Sequence, residues 1–365
     1  MHEGGVRGRP ETQTNLISLV CAEDLISPGD PIRKIKRMVD EVLRAMSPLF
    51  ESMYADCGRP SIPPERLLKA KVLQALFSVR SDRQLVVRIR TDILFRWFLD
   101  MNLDDAVFDA TVFTQNQERL LAHDVAVVFF NKVYDIARKN RWASDDHFSA
   151  DGTLIQAWGS MKSFKPKDAS AEGDDDLNGF GGFKGEKRSN DTHASVTDPD
   201  ARLTRKSSGD ASRLCYRADA MSENRNGLCA AVRVSPAVGY TESEGAADNV
   251  RAMQRRGLRP RTMGADAGYH NERFVDDMRT MGVTPHPALH GRRSDMGIKR
   301  TLAYKLSQKA RKRVEPTFGW AKCVGGLRRV REIGIRVANA TANLVFATGN
   351  LVRMARLETV YGGRA

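Results

Sequence analysis

The feature that most constrains the fold of this chain is a change in the spacing of its apolar residues at about Asp146. Before that point they recur every three or four residues, as on a buried helical face, and beyond it short β-favouring pieces alternate with turns. At 365 residues the chain also exceeds the size at which one hydrophobic core usually keeps growing. We therefore predict a flexible arm over residues 1–30, a helical domain over 31–140 and an α/β domain over 141–357.

The clearest helical pattern begins at Pro63 and Pro64. Its apolar stripe consists of Leu68, Val72, Ala75, Leu76 and Val79. Ser81 with Gln84 then forms a capping-box signature for a second helix. The apolar face of that second helix consists of Leu85, Ile89, Ile93 and Trp97. With a further helix at about residues 122–138, the pattern predicts a compact domain of helix pairs whose apolar stripes pack in its core.

The second part of the chain begins with a strand at about residues 147–157 that contains Asp151. The polar, Gly-rich stretch over residues 162–190 predicts a mobile loop. Antiparallel strands separated by turn residues are expected next, at 194–197, 201–205, 214–218 and 228–235. Helix, strand and helix follow at 245–256, 261–265 and 271–281, and closing helices at 299–313 and 337–357. This order predicts an α/β fold with a mixed sheet flanked by helices.

Composition narrows the choice of partner. A formal charge of +13 and a pI near 9.7 fit a nucleic-acid partner, although a ribosomal, membrane-surface or merely soluble basic protein shares that balance. The apolar run Val125–Phe130 is far shorter than the ~20 residues of a spanning helix, so we expect no membrane segment. The cysteines are odd in number, widely separated and without C-x-x-C spacing, which indicates a reducing cytosol and a cytoplasmic protein.

Positive charge is concentrated between Arg292 and Arg331, where the only acids are Asp295 and Glu315. Such a segment suits a polyanion, because clustered cations attract phosphates. A single carboxylate within it suits a divalent metal ion held beside phosphates. The segment therefore predicts a nucleic-acid interface with Glu315 at its centre.

Metal-dependent phosphodiester chemistry commonly uses two cations ~3.5–4 Å apart, which three or four carboxylates must hold. Asp151 lies within a strand, where an acid fits poorly unless it faces a ligand. Asp266 follows a strand at the exit where α/β folds usually meet ligands. Each acid also has an ordinary explanation. Asp151 would be a solvated strand end, Asp266 a helix cap, and Glu315 one half of a surface ion pair with Arg311 or Lys312.

Four motifs in order carry a resemblance to a known family. They are Asp151-Gly152-Thr153-Leu154-Ile155, residues 190–199 (NDTHASVTDP), residues 264–269 (GADAGY) and residues 314–320 (VEPTFGW). Together they resemble a bacterial insertion-sequence transposase of the DDE class, closest to the insertion-sequence-five family. The likeness covers roughly residues 30–357, and segments 58–68 and 94–98 are similar to the amino-terminal domain of those enzymes.

The resemblance implies a ribonuclease-H-like catalytic domain that follows an all-helical domain. In it, Asp151, Asp266 and Glu315 are the catalytic residues and the ligands of two Mg²⁺ ions, for which Mn²⁺ is expected to substitute. The partner is double-stranded DNA, both the terminal inverted repeats and the target, bound by a homodimer in a synaptic complex. The implied site of action is the bacterial nucleoid.

The family signature Y-(2)-R-(3)-E-(6)-K can be placed on this chain residue by residue. Arg311 stands four positions before Glu315, and Lys322 stands seven after it. Gln308 occupies the tyrosine position, and Tyr304 lies one helical turn earlier. Because proline follows Glu315 directly, we also predict that a helix breaks or restarts at that residue.

Several polar and cationic residues near these motifs are candidates for DNA contact. They are Arg311, Lys312, Arg313, Lys322, Arg328, Lys162, Asn190 and His193. Solvated charge is the alternative for Arg311 and Lys322, and a structural role on a strand edge is the alternative for His193. In the helical domain, Arg59, Arg66, Lys69 and Arg83 are expected to be exposed and to bind the terminal repeats or pair two protomers.

The implied function is cut-and-paste DNA transposition, in which DNA is cleaved at element ends and the exposed 3′-hydroxyl attacks a target. A metal-dependent, structure-selective nuclease with the same fold is an alternative that hydrolyses without joining. A DNA-binding regulator without catalysis is another, although three intact acids argue against it. Joined DNA products distinguish the first of these from the other two.

Overall fold

The computed structural model describes residues 21–54, 61–167, 188–207, 209–239, 241–289 and 301–362. Helices form the first part of the chain. They are α1 (Ala22–Leu25), α2 (Pro31–Ala45), α3 (Ser47–Glu51), α4 (Pro64–Leu76), α5 (Asp82–Thr91), α6 (Ile93–Phe98), α7 (Thr111–Ala122) and α8 (Val125–Lys139). The helical pattern that the sequence predicts over this region is therefore confirmed.

The predicted helix over residues 82–97 is divided at Asp92. The Ser81 hydroxyl accepts the backbone N–H of Gln84 at 3.3 Å, so the expected start is present. At Asp92 the backbone is extended, with φ −110° and ψ 117°, and the side chain accepts the N–H of Leu94 at 3.0 Å. One capping aspartate therefore ends α5 and begins α6, although the apolar spacing continues through it.

Part of the predicted arm is ordered. Ile26 is buried, and the Glu23 carboxylate accepts hydrogen bonds from the Arg33 guanidinium and the Trp97 indole. The arm prediction is therefore wrong for residues 21–30, because these contacts fix them on the helical region. Residues 1–20 lie outside the described residues.

In the described part of the chain, eight strands follow the helices. They are β1 (His147–Gln156), β2 (Phe164–Pro166), β3 (His193–Ser195), β4 (Arg202–Thr204), β5 (Arg213–Glu223), β6 (Cys229–Pro236), β7 (Thr262–Ala265) and β8 (Thr284–Pro287). The main sheet has the order β6-β5-β1-β7-β8, with β4 beside the first residues of β5. Strand β5 is antiparallel to β1 and β6, whereas β7 and β8 are parallel to β1. This order and these directions confirm the ribonuclease-H-like arrangement.

The remaining helices cover the sheet and join it to the helical region. They are α9 (Glu242–Arg255), α10 (Glu272–Thr280), α11 (Leu302–Arg311), α12 (Glu315–Cys323) and α13 (Ile335–Gly362). Helix α9 packs on β5 and β6, and α11 packs on β1, β7 and β8. Helix α13 packs on β6 and also on α2, α4 and α8, so one apolar core runs through both parts. The division into domains at residues 31–140 and 141–357 stays a prediction.

The mobile loop predicted over residues 162–190 is ordered at both ends. Met161–Ser163 form a 3-10 turn, and β2 pairs antiparallel with β3. The prediction is therefore wrong for residues 162–167 and 188–190, and residues 168–187 lie outside the described residues. Of the helices that the structure describes, α13 included, none has the length and apolarity to span a membrane.

Candidate active site

The candidate active site lies where the parallel strands β1 and β7 separate. Their pairing ends at Ser149 opposite Gly264. Two residues further on, where side chains return to the same face of a strand, the corresponding positions are Asp151 and Asp266. Because the carboxyl ends of neighbouring parallel strands open into a crevice, both acids lie at the edge where α/β folds meet their ligands.

Backbone amides hold one oxygen of each of these carboxylates. Oδ1 of Asp151 accepts the N–H of Gly152 at 2.9 Å. Oδ1 of Asp266 accepts the N–H of Gly268 at 2.9 Å and so caps a 3-10 turn, Ala267–Tyr269. The capping role considered for Asp266 is therefore present, and its second oxygen has no hydrogen bond with a described residue.

Glu315 lies at the predicted helix restart. Helix α11 ends at Arg311, a 3-10 turn covers Lys312–Val314, and α12 begins at Glu315 with Pro316 in its first turn. Val314 is buried at 1 % exposure and fixes the turn against the sheet, whereas Glu315 itself is exposed. The predicted break at Glu315 is confirmed, and its cause is the proline, which is tolerated only in a first helical turn.

The three predicted acids lie in one electrostatic neighbourhood. Burial is the largest cause that raises the pKa of Asp151, and the Gly152 N–H opposes it. The negative charges of Asp266 and Glu315 raise the pKa of Asp151 further, while Arg311 lowers it. The fold therefore brings the three acids within electrostatic reach, and their catalytic role stays a prediction.

A fourth acid, Glu242, belongs to the same neighbourhood and escaped sequence reasoning. It is the first residue of α9 and is half-buried. Burial raises the pKa of its carboxyl, as do the charges of Asp266 and Asp151, while Arg217 lowers it. The available signal was the capping-box pattern that begins at Thr241, which places this acid in the first helical turn.

A fifth acid, Asp219, lies behind the others. It stands opposite Gly152 in β5 and is 1 % exposed. Burial raises the pKa of Asp219 to about 7, although the Arg217 Nε lies 3.1 Å from its Oδ1. A Cβ on Gly245 would lie 2.4 Å from the Asp219 Cγ, so glycine is required where α9 crosses this carboxylate. Sequence reasoning missed Asp219 because the predicted strand ended at Ala218.

Gln308, at the family's tyrosine position, has a structural role. Its Nε2 donates to the carbonyl of His286 at 2.5 Å and to the carbonyl of Ala265 at 3.4 Å. One turn earlier, the Tyr304 hydroxyl accepts the N–H of Leu289 at 3.2 Å. Gln308 therefore joins α11 to the ends of β7 and β8, close to Asp266, which follows β7.

Two family models match the chain in sequence. A transposase domain (DUF772) matches residues 20–119, and a transposase DDE domain matches residues 181–351. The chain belongs to the DDE transposases. The DDE match contains Asp266 and Glu315, whereas Asp151 precedes it. Membership of the insertion-sequence-five family stays a prediction.

Several solved transposase structures are similar to this DDE transposase. The piggyBac transposase synaptic complex with hairpin DNA gives a TM-score of 0.39 at 8% identity, over 91% of this chain and 76% of that chain. A pre-cleavage Mos1 transpososome gives 0.22 at 10% identity, over 83% and 82%. The Mos1 mariner paired end complex with Mn gives 0.21 at 10% identity, over 84% and 90%. A comparison with curated proteins gives no match.

Two of the predicted DNA-binding cations lie beside the acids of this DDE transposase. The Arg311 charge acts on Asp151, and the Arg311 Nε is buried without a hydrogen-bond partner in the described part of the chain. Lys322 donates to the hydroxyl of Thr153, on the same face of β1 as Asp151. Burial lowers the pKa of Lys322, and the positive charge of Lys206 lowers it further. Sequence reasoning missed Lys206 as a member of this positive surface.

The other predicted cations divide into two groups. Lys312, Arg328 and Lys162 are exposed on the segments that follow α11, α12 and β1. Arg313 instead donates to the backbone carbonyl of Asn224, in the turn between β5 and β6. That turn lies beside the first residue of β1, so the Arg313 guanidinium contacts the protein there, and its DNA-binding role stays a prediction.

Asn190 and His193 make contacts within the protein. The Asn190 amide donates to the carbonyl of Leu203 at 2.9 Å and accepts its N–H at 2.8 Å, so both of its polar atoms are engaged. The His193 ring is buried, stacks on Phe164 at 5.4 Å and bonds the Thr192 hydroxyl through Nδ1 at 2.8 Å. Both side chains therefore contact the protein, as the structural alternative for His193 expects, and the DNA-binding role of both stays a prediction.

DDE transposases use divalent metal ions. Within the described ranges, no three His, Cys, Asp or Glu side chains already stand close enough to hold one. The donor set nevertheless fits in chemistry, because Asp151, Asp266 and Glu315 offer only carboxylate oxygens and form no ion pair with a described cation. Hard divalent cations prefer such oxygen ligands.

Proposed function

We propose that this DDE transposase cleaves the phosphodiester bonds at the ends of an insertion sequence and joins the exposed 3′-hydroxyls to target DNA. The observation that carries the proposal is the matched position of Asp151 and Asp266 on two parallel strands, with Glu315 in electrostatic reach. Unpaired acids at a strand edge within a strongly basic chain suit metal-dependent chemistry on a polyanion.

Asp151, Asp266 and Glu315 would hold two Mg²⁺ ions, for which Mn²⁺ would substitute. When bound, these ions would activate the attacking oxygen and stabilise the charge on the leaving oxygen. Arg311 and Lys322 flank Asp151 and would bind the phosphates on either side of the cleaved bond as charge-assisted donors. No side chain serves as a covalent nucleophile in this scheme, because water and the 3′-hydroxyl attack in turn.

The DNA partner follows from charge. Lys322, Arg328, Lys206 and Lys162 extend the positive surface beyond the acids, as a groove for backbone phosphates requires. Two element ends must be joined in one event, so the working form would be a homodimer that holds both terminal repeats in a synaptic complex. We place it on the nucleoid of a bacterial cytoplasm, where its substrate lies.

The test uses the full chain, Mg²⁺, labelled DNA that carries the inverted repeats bounding its gene, and a plasmid target. Asp151→Ala, Asp266→Ala and Glu315→Ala should each lower strand transfer by at least about a thousandfold, since several kcal/mol of charge stabilisation would be lost. DNA binding should persist in all three. Asp276→Ala, on an exposed face of α10, is the control and should transfer normally.

Retained strand transfer in any of the three variants would contradict the assignment of that residue. Cleavage by the wild-type chain without joined products would indicate a structure-selective nuclease instead. Metal-independent DNA binding with neither cleavage nor joining would indicate a regulator.

A further inference from the structure

Glu242 reaches the acid cluster from the opposite direction to Glu315. It opens α9, which packs on β5 and β6, whereas Glu315 opens α12. The capping box at this helix start is formed by Thr241 and Glu244, whose side chains each bond the backbone N–H of the other. Glu242 is therefore not needed to begin α9, and its side chain is available for another task.

Two glycines show where the Glu242 carboxylate lies. Its Oε1 is 3.2 Å from the point that a Cβ on Gly152 would occupy, and its Oε2 is 3.9 Å from the corresponding point on Gly268. Gly152 directly follows Asp151, and the Gly268 point is itself 3.2 Å from Oδ1 of Asp266. The carboxylate of Glu242 thus lies beside the position of residue 152 on β1 and near the turn after β7, within electrostatic reach of Asp266 and Asp151.

The surroundings of Glu242 leave its charge uncompensated. No hydrogen bond or ion pair with another described residue engages its carboxylate. The cation whose charge reaches it, Arg217, is paired with Asp219. An acid that is half-buried beside other acids is costly unless a cation joins it.

A second observation at the same place points to a ligand. Tyr269 is fully buried, and its hydroxyl has no hydrogen-bond partner among the residues that the structure describes. The acids whose charges act on this phenol are Asp219, Glu242, Asp151 and Asp266. A buried hydroxyl without a partner is unfavourable, so a position beside the acid cluster indicates a site that a ligand completes.

We propose that Glu242 is a fourth carboxylate ligand of the divalent-metal site, opposite Glu315. The inference rests on the proposed function and extends it. Two divalent cations carry four positive charges, and Asp151, Asp266, Glu315 and Glu242 together supply four negative ones. Gly152 keeps the approach of this carboxylate open, because a Cβ at that position would crowd it at 3.2 Å from Oε1.

The experiment measures Mn²⁺ binding to the full chain by the loss of the free-ion electron paramagnetic resonance signal. Wild type is compared with Glu242→Gln, Glu242→Asp, Asp151→Asn and the matched control Glu244→Gln, which lies in the same helical turn. Glu242→Gln should bind Mn²⁺ at least about tenfold more weakly, as expected for a lost ligand. Glu242→Asp should recover part of that loss, and Glu244→Gln should bind as wild type. Circular dichroism of each variant checks that α9 is intact.

Each outcome decides the question. Wild-type affinity in Glu242→Gln, with weakened binding in Asp151→Asn, would overturn this inference and leave the proposed function standing. Equal losses in Glu242→Gln and Glu244→Gln would also overturn it, since a disturbed helix start would explain both. A wild-type chain that binds no Mn²⁺ would overturn the inference and the proposed metal site together.

Discussion

The helical region and the strand edge of the sheet differ in whether their carboxylates form ion pairs. In the helical region, carboxylates are neutralised by nearby cations. Lys69 pairs with Asp40 at 2.5 Å and also with Asp100, and Lys71 pairs with Asp82 at 2.6 Å. At the strand edge of the sheet, Asp151, Glu242, Asp266 and Glu315 form no ion pair with any described cation.

The difference shows how a strongly basic chain can leave carboxylates free of ion pairs at the proposed metal site. Cations are plentiful in both regions, and Arg311 and Lys322 lie beside the strand-edge acids without bonding to them. A direct ion pair would compete with a metal ion for the same oxygens. The helical region therefore uses its acids for stability, whereas the strand edge leaves acids uncompensated at a cost in stability, as functional sites commonly do.

The largest effect is expected when an acid at the strand edge is replaced, because activity should fall while stability rises. Asp151→Asn should lower cleavage by at least about a thousandfold, because several kcal/mol of charge stabilisation depend on the ligand. The same change should raise the free energy of unfolding in metal-free buffer at pH 7, since burial and Asp266 disfavour the charged form. Cleavage assays and urea denaturation measure the two effects. A variant that loses both activity and stability would break the comparison.

Replacing Lys69 should instead lower stability and leave activity unchanged. The sequence predicts that this side chain is exposed and binds the terminal repeats or pairs two protomers, but it is 6 % exposed and paired with two carboxylates. Lys69→Met should lower the free energy of unfolding by about 1–2 kcal/mol, because half-buried Asp40 and exposed Asp100 each lose one of two cations and keep only Lys36. Cleavage per folded molecule should not change. Lys309→Met, at an exposed position, is the control and should alter stability by less than about 0.5 kcal/mol.

Substitutions at two helical glycines test how closely α9 packs against Asp219. Gly245→Ala would place a methyl group 2.4 Å from the Asp219 Cγ and should cost about 2 kcal/mol of unfolding free energy. Gly319→Ala meets nothing within 4 Å and should stabilise α12 by up to about 1 kcal/mol. Thermal denaturation of both variants checks the signs. Equal effects would show that the close approach of α9 to Asp219 is not needed.

A pH dependence gives a further test of the comparison. The pKa of Asp219 is about 7 in the folded chain and near 3.8 ordinarily. Between these values the folded state holds the proton more tightly, so the free energy of unfolding falls as pH rises from about 4 to 7. Asp219→Asn removes this titrating carboxyl, and its unfolding free energy should fall less over that range, by on the order of 1 kcal/mol per pH unit. Urea denaturation at pH 5 and pH 7.5 compares the two slopes. Parallel slopes would contradict the assignment.

The sequence predicts the fold class and the three acids because local patterns carry them. Asp266 after a β-favouring run, and Glu315 before a proline, are visible without coordinates. The register that sets Asp151 beside Asp266 is not visible, because β1 and β7 are 115 residues apart in the chain where they pair. The family resemblance supplied that pairing, and spacing alone left it open.

The side chains that the sequence places poorly are those whose direction depends on tertiary packing. Lys69 lies on the predicted helix, but its ammonium turns inward to Asp40 and Asp100. Asn190 and His193 belong to a matching motif, yet residues of β4 and β2 contact their side chains. Charge and motif therefore indicate which residues are polar, while tertiary packing decides which of them face solvent.

Helix α13 is the last described element, and both parts of the molecule pack against it. The early helices and the sheet each bury part of their own apolar surface against α13. Neither can complete that burial until α13 has left the ribosome. A message interrupted upstream of residue 335 would therefore yield a nascent fragment whose apolar core is unfinished in both parts, and such a fragment is suited to degradation.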